Sequence, residues 1–325
     1  SLVVASALTS ADIPVILTTI QQNDLSEINP AIFQINATIS MQGKSAAHYA
    51  VNVLKLDSLA IIAPADSYGE IQTDAFIKAV DRLGGTVVAT EWYSGKPKNL
   101  KRQFKKLRRI AFGLLHKEKS FDEALGMEID SLDALFDSSA EDFFDLPKTK
   151  QKRMSSSDST KIVLNTIQGI YFPIHKDDLE YIGPQLPMYN FNAKIIGNEN
   201  WQYQKIFQKD NIGPYLKDLS IITTFYASPF DSTGFDGELR IAYYRGYNTA
   251  NMLTQLHLKS QSRKSMSQSL KSVDLYSGQG YNYSPDPSNL HVNAAFQILE
   301  FNGNDLIPKG VFYGDSLHLV PLQYP

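Results

Sequence analysis

The side chains that could perform chemistry are scattered along this sequence and form no catalytic pattern. No histidine belongs to a His-x-x-x-His pair or has a glutamate at a metalloprotease spacing, so a zinc site is not indicated. The phosphate-binding patterns Gly-x-x-x-x-Gly-Lys-Ser/Thr and Gly-x-Gly-x-x-Gly and the nucleophile pattern Gly-x-Ser-x-Gly are absent as well. We therefore expect a protein that is not an enzyme and that uses neither a metal nor a cofactor. The six histidines are His48, His116, His175, His257, His291 and His318.

Polar side chains that could hold a small molecule follow several predicted strands. Their loops supply hydroxyls, amides, one imidazole, two carboxylates and two aromatic rings. In open parallel sheets, ligands bind beyond the carboxyl ends of the strands. These groups suit hydrogen bonding to a small polar ligand and do not make a nucleophile. The residues predicted to contact such a ligand are Thr18, Thr19, Gln21, Asp66, Tyr68, His175, Glu199 and Trp201.

Each of these residues also has a purely structural interpretation. Thr18 and Thr19 could cap the turn that follows them, and Asp66 or Ser67 could be the N-cap of the next helix. Trp201 could cover an edge of the hydrophobic core. The sequence leaves both interpretations open at these positions.

Composition narrows the class of protein further. The chain has 325 residues, with 31 Lys and Arg against 34 Asp and Glu, which gives a net charge of −3. Such a balance disfavours general nucleic-acid binding, while 43% hydrophobic residues indicate a folded chain. Cysteine is absent, which excludes disulfides and thiolate chemistry. No apolar run is long enough to span a membrane, and no basic n-region opens the chain, so we expect any export signal to be removed or absent.

Short β-branched runs alternate with amphipathic segments along most of the chain, as in βα units that build a parallel sheet. Strands are predicted near 13–17 and 59–63, and Asn302-Gly303 favours a hairpin between antiparallel C-terminal strands. The basic segment 100–110 has apolar residues along one side, so we interpret its charges as a solvated helix face. Residues 112–162 interrupt the pattern and are predicted to be a partly flexible insertion.

Two segments carry a family resemblance. The run Ile13–Ile16 with the later Phe33–Ile35, and the run Asp66–Gly69 with the later Gly84–Val88, are similar to the type I periplasmic solute-binding proteins. This family includes the leucine/isoleucine/valine-binding proteins of ABC importers. Tyr244–Ala250 matches a later helix of the family more loosely. The resemblance covers most of the chain outside about 112–162.

The resemblance implies an α/β fold of two lobes with mostly parallel, doubly wound sheets, antiparallel C-terminal strands and a ligand enclosed by hinge motion. It places lobe 1 at 1–93 and 229–285 and lobe 2 at 94–228 and 286–325. Ser1 falls in the loop after the family's third strand and joins the predicted ligand contacts, so the opening portion of the fold is expected to be missing.

Two departures from the family pattern argue against the family's usual mode of binding an α-amino acid. Pro64 stands where amino-acid binders have an aspartate, and Gln21 stands at a Ser/Thr position. Asp66 or Glu199 could supply the carboxylate instead.

These observations predict a non-catalytic, periplasmic or extracytoplasmic protein that binds a small polar solute, such as an amino acid, an amide or a short peptide, in an interlobe cleft. The expected partners are an ABC permease or a receptor, with no nucleic acid and no membrane span, and a lipid anchor is a further expectation for a leading segment. The alternative from another class is a degenerate binding-protein fold that acts as a protein-interaction or regulatory module. An enzyme with a doubly wound sheet is the third hypothesis. Turnover that is lost when His175 is changed would support it.

Overall fold

A computed structural model describes most of the chain. The predicted insertion lies outside the described residues apart from 112–118, and so does Ser1. The described residues are 13–118, 163–189, 191–202, 207, 213–216, 219–226, 234, 237–258, 262–314 and 316–318.

Strands and helices alternate through the first two thirds of the chain, and strands predominate at the end. The strands are β1 (Val15–Leu17), β2 (Ile32–Gln34), β3 (Ser58–Pro64), β4 (Thr86–Tyr93), β5 (Gly169–Phe172), β6 (Lys194–Gly197), β7 (Ser220–Thr223), β8 (Tyr276–Gly278), β9 (Tyr281–Tyr283), β10 (Pro285–Asp286), β11 (Asn289–Asn293), β12 (Phe296–Phe301), β13 (Leu306–Tyr313) and β14 (Ser316–His318). The α-helices are α1 (Leu25–Ile28), α2 (Ile39–His48), α3 (Ser67–Arg82), α4 (Lys101–Glu118), α5 (Leu179–Ile182), α6 (Gly237–His257) and α7 (Arg263–Lys271).

The larger sheet has eight strands in the order β14-β13-β12-β7-β6-β5-β3-β4. Its pairs from β4 to β7 are parallel, whereas β12, β13 and β14 pair antiparallel. Successive residues of β3 enter opposite core clusters, Ile61 on one face and Ile62 on the other. Both faces of this sheet are therefore buried, which explains why its parallel strands are continuous apolar runs.

The smaller sheet has the order β1-β2-β11-β10. β1 pairs parallel with β2, and β11 joins the other edge of β2 with Val292 opposite Gln34. A separate core cluster joins Phe33 of β2 to Tyr244 of α6 and Tyr283 of β9. β8 and β9 pair antiparallel as a separate two-stranded sheet. The described part of the chain is thus an α/β structure with two large sheets, in agreement with the predicted α/β fold. We call the part around the smaller sheet lobe 1 and the part around the larger sheet lobe 2.

The sheets divide the chain differently from the predicted lobe boundaries. β3 and β4, expected in lobe 1, pair within the larger sheet, where Leu59 lies opposite Gly169 of β5. β11, expected in lobe 2, belongs to the smaller sheet. The physical reason is that a βαβ crossover returns the chain to a neighbouring position in the same sheet, so β3, α3 and β4 stay together with β5.

Helices α2 and α3 cross closely over one face of the larger sheet. A Cβ added at Gly43 of α2 would lie 2.2 Å from the backbone oxygen of Gln72 in α3. The absence of a side chain at Gly43 therefore allows the two backbones to touch. α3 begins at Ser67, three residues after the last residue of β3, so its first turn lies at the edge of the sheet where the candidate ligand residues are.

None of the helices in the described part of the chain is both long and apolar enough to cross a membrane.

Candidate functional site

Asp66 and His175 meet at the carboxyl ends of two neighbouring strands. Asp66 follows β3 and His175 follows β5, and these strands are adjacent in the larger sheet. Asp66 Oδ2 lies 2.7 Å from His175 Nε2, while its Oδ1 accepts a 2.9 Å hydrogen bond from the Gly69 N–H. Asp66 is therefore the N-cap of α3, and its capping interpretation is confirmed, while its second oxygen binds the histidine.

The charge of Asp66 is favoured by these contacts. Its slight burial opposes ionisation, but the hydrogen bonds from the Gly69 N–H and from His175 outweigh that effect. The pKa of the Asp66 carboxyl is therefore lowered from its ordinary value. The side chains of Asp66 and His175 are each about half exposed, at 47% and 45%, so water screens this pair.

Tyr68 lies behind this pair and is held by two asparagines. Its ring stacks on that of His175, with centroids 4.8 Å apart and planes inclined by 28°. Asn198 Nδ2 and Asn200 Nδ2 donate to its hydroxyl oxygen over 2.8 and 3.1 Å. Burial, together with the nearby charge of Glu199, raises the pKa of Tyr68 above its ordinary value. The phenol is therefore neutral and remains a hydrogen-bonding group at any physiological pH.

The orientation of the Asn198 carboxamide is fixed. Its Nδ2 also donates to the Ile174 backbone oxygen over 3.0 Å, and a carbonyl can only accept, so Oδ1 occupies the other end. Asn198 is 2% exposed, and within the described residues its Oδ1 has no hydrogen-bond partner. Buried acceptors are normally satisfied by protein, water or ligand. Asn198 thus brings an unused acceptor next to the Tyr68 hydroxyl.

Glu199 joins the two lobes. Its Oε1 accepts a 2.8 Å hydrogen bond from Gln21 Nε2 on the loop after β1 of lobe 1. Its Oε2 lies 3.2 Å from Thr224 Oγ1, just after β7 of lobe 2. No lysine, arginine or histidine among the described residues pairs with Glu199. A partly buried carboxylate without a cation can therefore accept further N–H donors.

A second polar chain crosses between the lobes beside Glu199. Thr224 Oγ1 is 3.0 Å from Asn36 Oδ1, and Asn36 Nδ2 donates to the backbone oxygen of Thr19 over 3.3 Å. Asn36 lies two residues after β2, and Thr224 directly follows β7, so these contacts lie where the chain passes between lobes. They place the loop containing Thr19 and Gln21 opposite the turn containing Glu199.

Trp201 does not reach the cleft. Its side chain is fully buried, its Nε1 donates to the Phe172 backbone oxygen over 3.0 Å, and its ring packs edge-on against that of Phe172. Gly197 provides the space, because a Cβ there would lie 2.5 Å from the indole. The core interpretation therefore holds for Trp201, and its predicted ligand contact is not supported.

The two threonines of the first loop lie at the lobe boundary. Thr18 is half-buried and Thr19 is exposed. The N-cap position of α1, the first helix after them, is occupied by Asp24. Their hydroxyls remain candidates for contact with a ligand.

Sequence reasoning missed several polar residues of this region. Asn198 and Asn200 flank Glu199 and orient Tyr68, and Asn36 and Thr224 connect the lobes. The available signal was position, since Asn36, Asn198 and Thr224 each follow a strand within two residues. Among the residues that the structure describes, no three His, Asp or Glu side chains form a metal-binding group.

Together, the fold and these polar groups define a class: two-lobed α/β proteins whose strand-end loops meet between the lobes. Residues 1–109 match the family model described as periplasmic binding protein. The resemblance to the type I periplasmic solute-binding proteins is thereby confirmed, and the chain has that fold. No curated protein sequence matches the chain.

Solved structures agree on the fold at low sequence identity. A protein described as a branched-chain amino acid ABC transporter from Rhodospirillum rubrum is 16% identical, with a TM-score of 0.68 over 95% of this chain and 76% of that one. The substrate-binding protein LivJ from Streptococcus pneumoniae, in complex with isoleucine, is 13% identical, with a TM-score of 0.51 over 94% and 74%. A solute-binding protein from R. palustris, in complex with benzoate, is 11% identical, with a TM-score of 0.53 over 94% and 73%.

Proposed function

We propose that this chain is a non-catalytic, extracytoplasmic binding protein that holds a small polar solute between its two lobes. The solute is an amino-acid-like molecule, an amide or a short peptide, and the protein passes it to an ABC permease or a sensor. The observation that carries this proposal is the Gln21–Glu199 hydrogen bond across the cleft. It places hydrogen-bonding groups of both lobes within the span of one small molecule.

The groups around the cleft suit a ligand that donates hydrogen bonds. Glu199 offers a carboxylate without a cation partner among the described residues, and Asn198 Oδ1 is an acceptor that lacks a donor there. Burying a ligand N–H against these acceptors satisfies them. Thr18, Thr19, Tyr68 and His175 supply hydroxyl and ring groups for the rest of the solute.

Neighbouring structures widen the range of solutes to be tested. Two proteins of this fold are described in complex with isoleucine and with benzoate, so both compounds belong in the panel. In this chain Pro64 replaces the aspartate expected in an amino-acid binder. We therefore propose amides, short peptides and amino acids as ligand classes without preferring one of them.

A thermal-shift panel tests this function. The panel contains isoleucine, leucine, benzoate, benzamide, acetamide, urea and alanyl dipeptides, each at millimolar concentration. A solute that binds only the folded state raises the melting temperature by mass action. We expect at least one compound to raise it in a concentration-dependent way. A flat response to every compound, with folded protein, would contradict the proposal.

The Gln21–Glu199 hydrogen bond also supports a second candidate function. Because Gln21 already occupies one oxygen of Glu199, the cleft is partly filled by the protein itself. This arrangement suits a degenerate binding-protein fold that serves as an interaction module. The unaltered protein separates the two functions, because a solute binder responds to the panel and a degenerate cleft does not. For a solute binder, Gln21→Ala then lowers the affinity for the compound found.

A further inference from the structure

A second groove lies between the lobes, beside helices α2 and α3. It has a volume of about 260 Å³ and is lined by residues of both lobes, including Asn23 and Ser288 from lobe 1 and Lys44, Lys78 and Arg82 from lobe 2. It shares no residue with the candidate solute site described above. We call it the α2–α3 groove.

One ion pair closes part of this groove. Lys44 Nζ lies 3.0 Å from Asp286 Oδ1, and Asp286 Oδ2 accepts a short hydrogen bond from the Ser288 hydroxyl. The Asp286 side chain is only 5% exposed. Both of its oxygens are thus occupied, and its negative charge is balanced by Lys44. Asp286 therefore does not neutralise the positive charges of the other two cations that line the groove, Lys78 and Arg82.

Lys78 and Arg82 supply those remaining cations. They lie four residues apart in α3, so their side chains share one face of the helix. Both are exposed, and neither has an ion-pair or hydrogen-bond partner among the described residues. The other acid lining the groove is Asp24. After the Lys44–Asp286 pair is set aside, two cations face one anion, so the groove favours a negatively charged occupant.

Asn23 adds a neutral donor from the opposite lobe. Its Oδ1 accepts from the backbone N–H of Ser40 over 3.3 Å and from the Ser40 hydroxyl over 3.0 Å. With the oxygen occupied, Nδ2 is the end of the carboxamide that can donate to a ligand. A cation pair on one wall and an amide donor on the other make a concave site for an oxyanion.

We propose that the α2–α3 groove binds a small oxyanion, a phosphate or carboxylate group, through Lys78, Arg82 and Asn23. Charge-assisted hydrogen bonds from Arg82 and Lys78 supply the attraction, and Asn23 supplies a contact from lobe 1. Because its donors come from both lobes, the anion bridges them at a place distinct from the solute cleft. The proposal does not depend on which solute the cleft holds.

Titration calorimetry tests this site with two probes, inorganic phosphate and succinate, at constant ionic strength set with chloride. The full chain is compared with the double variant Lys78→Gln/Arg82→Gln and with the matched control Lys101→Gln/Lys105→Gln. The control removes two exposed cations of α4, which are also four residues apart. We expect one probe to bind, the groove variant to lose at least tenfold in affinity and the control to change less than threefold. Phosphate binding alone identifies a phosphoryl ligand, and succinate binding alone identifies a carboxylate.

Three results would overturn the proposal. These are no heat of binding with either probe at millimolar concentration, equal weakening in both double variants, and undiminished binding in the groove variant. Melting curves of each variant show that it is folded before titration. Because cleft ligands are absent from this experiment, its failure leaves the proposed solute binding untouched.

Discussion

Gln21 and Glu199 are separated by 178 positions in the chain, yet Gln21 Nε2 donates to Glu199 Oε1 over 2.8 Å. The first residue lies on the loop after β1 of lobe 1, and the second lies in the turn after β6 of lobe 2. Their contact defines where the strand-end loops of the two lobes meet. It also means that opening the cleft breaks a hydrogen bond to a charged group, which contributes about 1.5–3 kcal/mol.

Replacing Gln21 by Ala removes this cross-lobe bond. For a solute that the unaltered protein binds, we expect about a tenfold weaker affinity, because the closed arrangement loses one charge-assisted hydrogen bond. Titration calorimetry with the best compound of the thermal-shift panel measures the change. Gln22→Ala is the neighbouring control, since the Gln22 side chain is exposed. Equal affinities of the Gln21 variant and the unaltered protein would remove Gln21 from the site.

Replacing Lys44 by Met leaves the Asp286 carboxylate buried without its cation. We expect unfolding free energy to fall by about 1–3 kcal/mol, less than for a fully buried pair because Lys44 is 33% exposed. The comparison is Lys106→Met, which breaks the more exposed pair with Glu91 and should cost less than about 1 kcal/mol. Urea unfolding measures both changes. Equal losses would show that burial of Asp286 adds nothing.

Replacing Gly43 by Ala forces a methyl group into the backbone of α3. The added Cβ would lie 2.2 Å from the Gln72 oxygen, so the helices must separate, and we expect a loss of about 1–3 kcal/mol. Gly113 in α4 has nothing within 4 Å of an added Cβ. Gly113→Ala should therefore stabilise the protein by about 0.5–1 kcal/mol through helix propensity. Thermal or urea unfolding measures the two opposite signs, and a neutral Gly43 variant would disprove the close crossing.

The Asp66 carboxylate makes folding stability depend on pH. Its pKa is lowered in the folded protein, so its contribution is present above the unfolded pKa of about 3.9 and is lost as pH falls through the lower folded value. In Asp66→Asn, an N-cap is retained but this titration is removed. We expect the difference in stability between the two proteins to shrink as pH falls from 5 to about 2. A constant difference would contradict the assignment.

Trp201 reports on the core and Trp92 on the surface, because Trp201 is fully buried and Trp92 is 37% exposed. The chain contains two tryptophans, so Trp92→Phe leaves Trp201 as the sole indole. We expect acrylamide to quench the fluorescence of Trp201 poorly in this variant. In Trp201→Phe, the remaining Trp92 should be quenched readily. Strong quenching of Trp201 would show that its indole is exposed and would support its predicted contact with a ligand.

Local features of this fold could be predicted from sequence, and long-range ones could not. The apolar run at 59–63 and the N-cap at Asp66 depend on nearby residues alone. The Asp66–His175 contact, by contrast, requires β3 and β5 to be neighbours in one sheet. The placement of β3 beside β5, and of β11 beside β2, depends on pairing between distant segments that local periodicity does not specify. Trp201 was assigned to the cleft because nothing in its neighbourhood indicates which way an indole in a turn faces. Its burial depends on Gly197 and Phe172 packing against it.

The most direct measurement compares solute affinity in the unaltered protein, in Glu199→Gln and in Glu180→Gln by titration calorimetry with the best compound of the panel. Glu180 is an exposed glutamate of α5, so its variant makes the same chemical change away from the cleft. The account predicts a loss of about 10- to 100-fold for Glu199→Gln, the worth of one charge-assisted hydrogen bond, and no change for Glu180→Gln. Unchanged affinity in Glu199→Gln, with the protein folded, would contradict the claim that the solute is held between the lobes at Glu199.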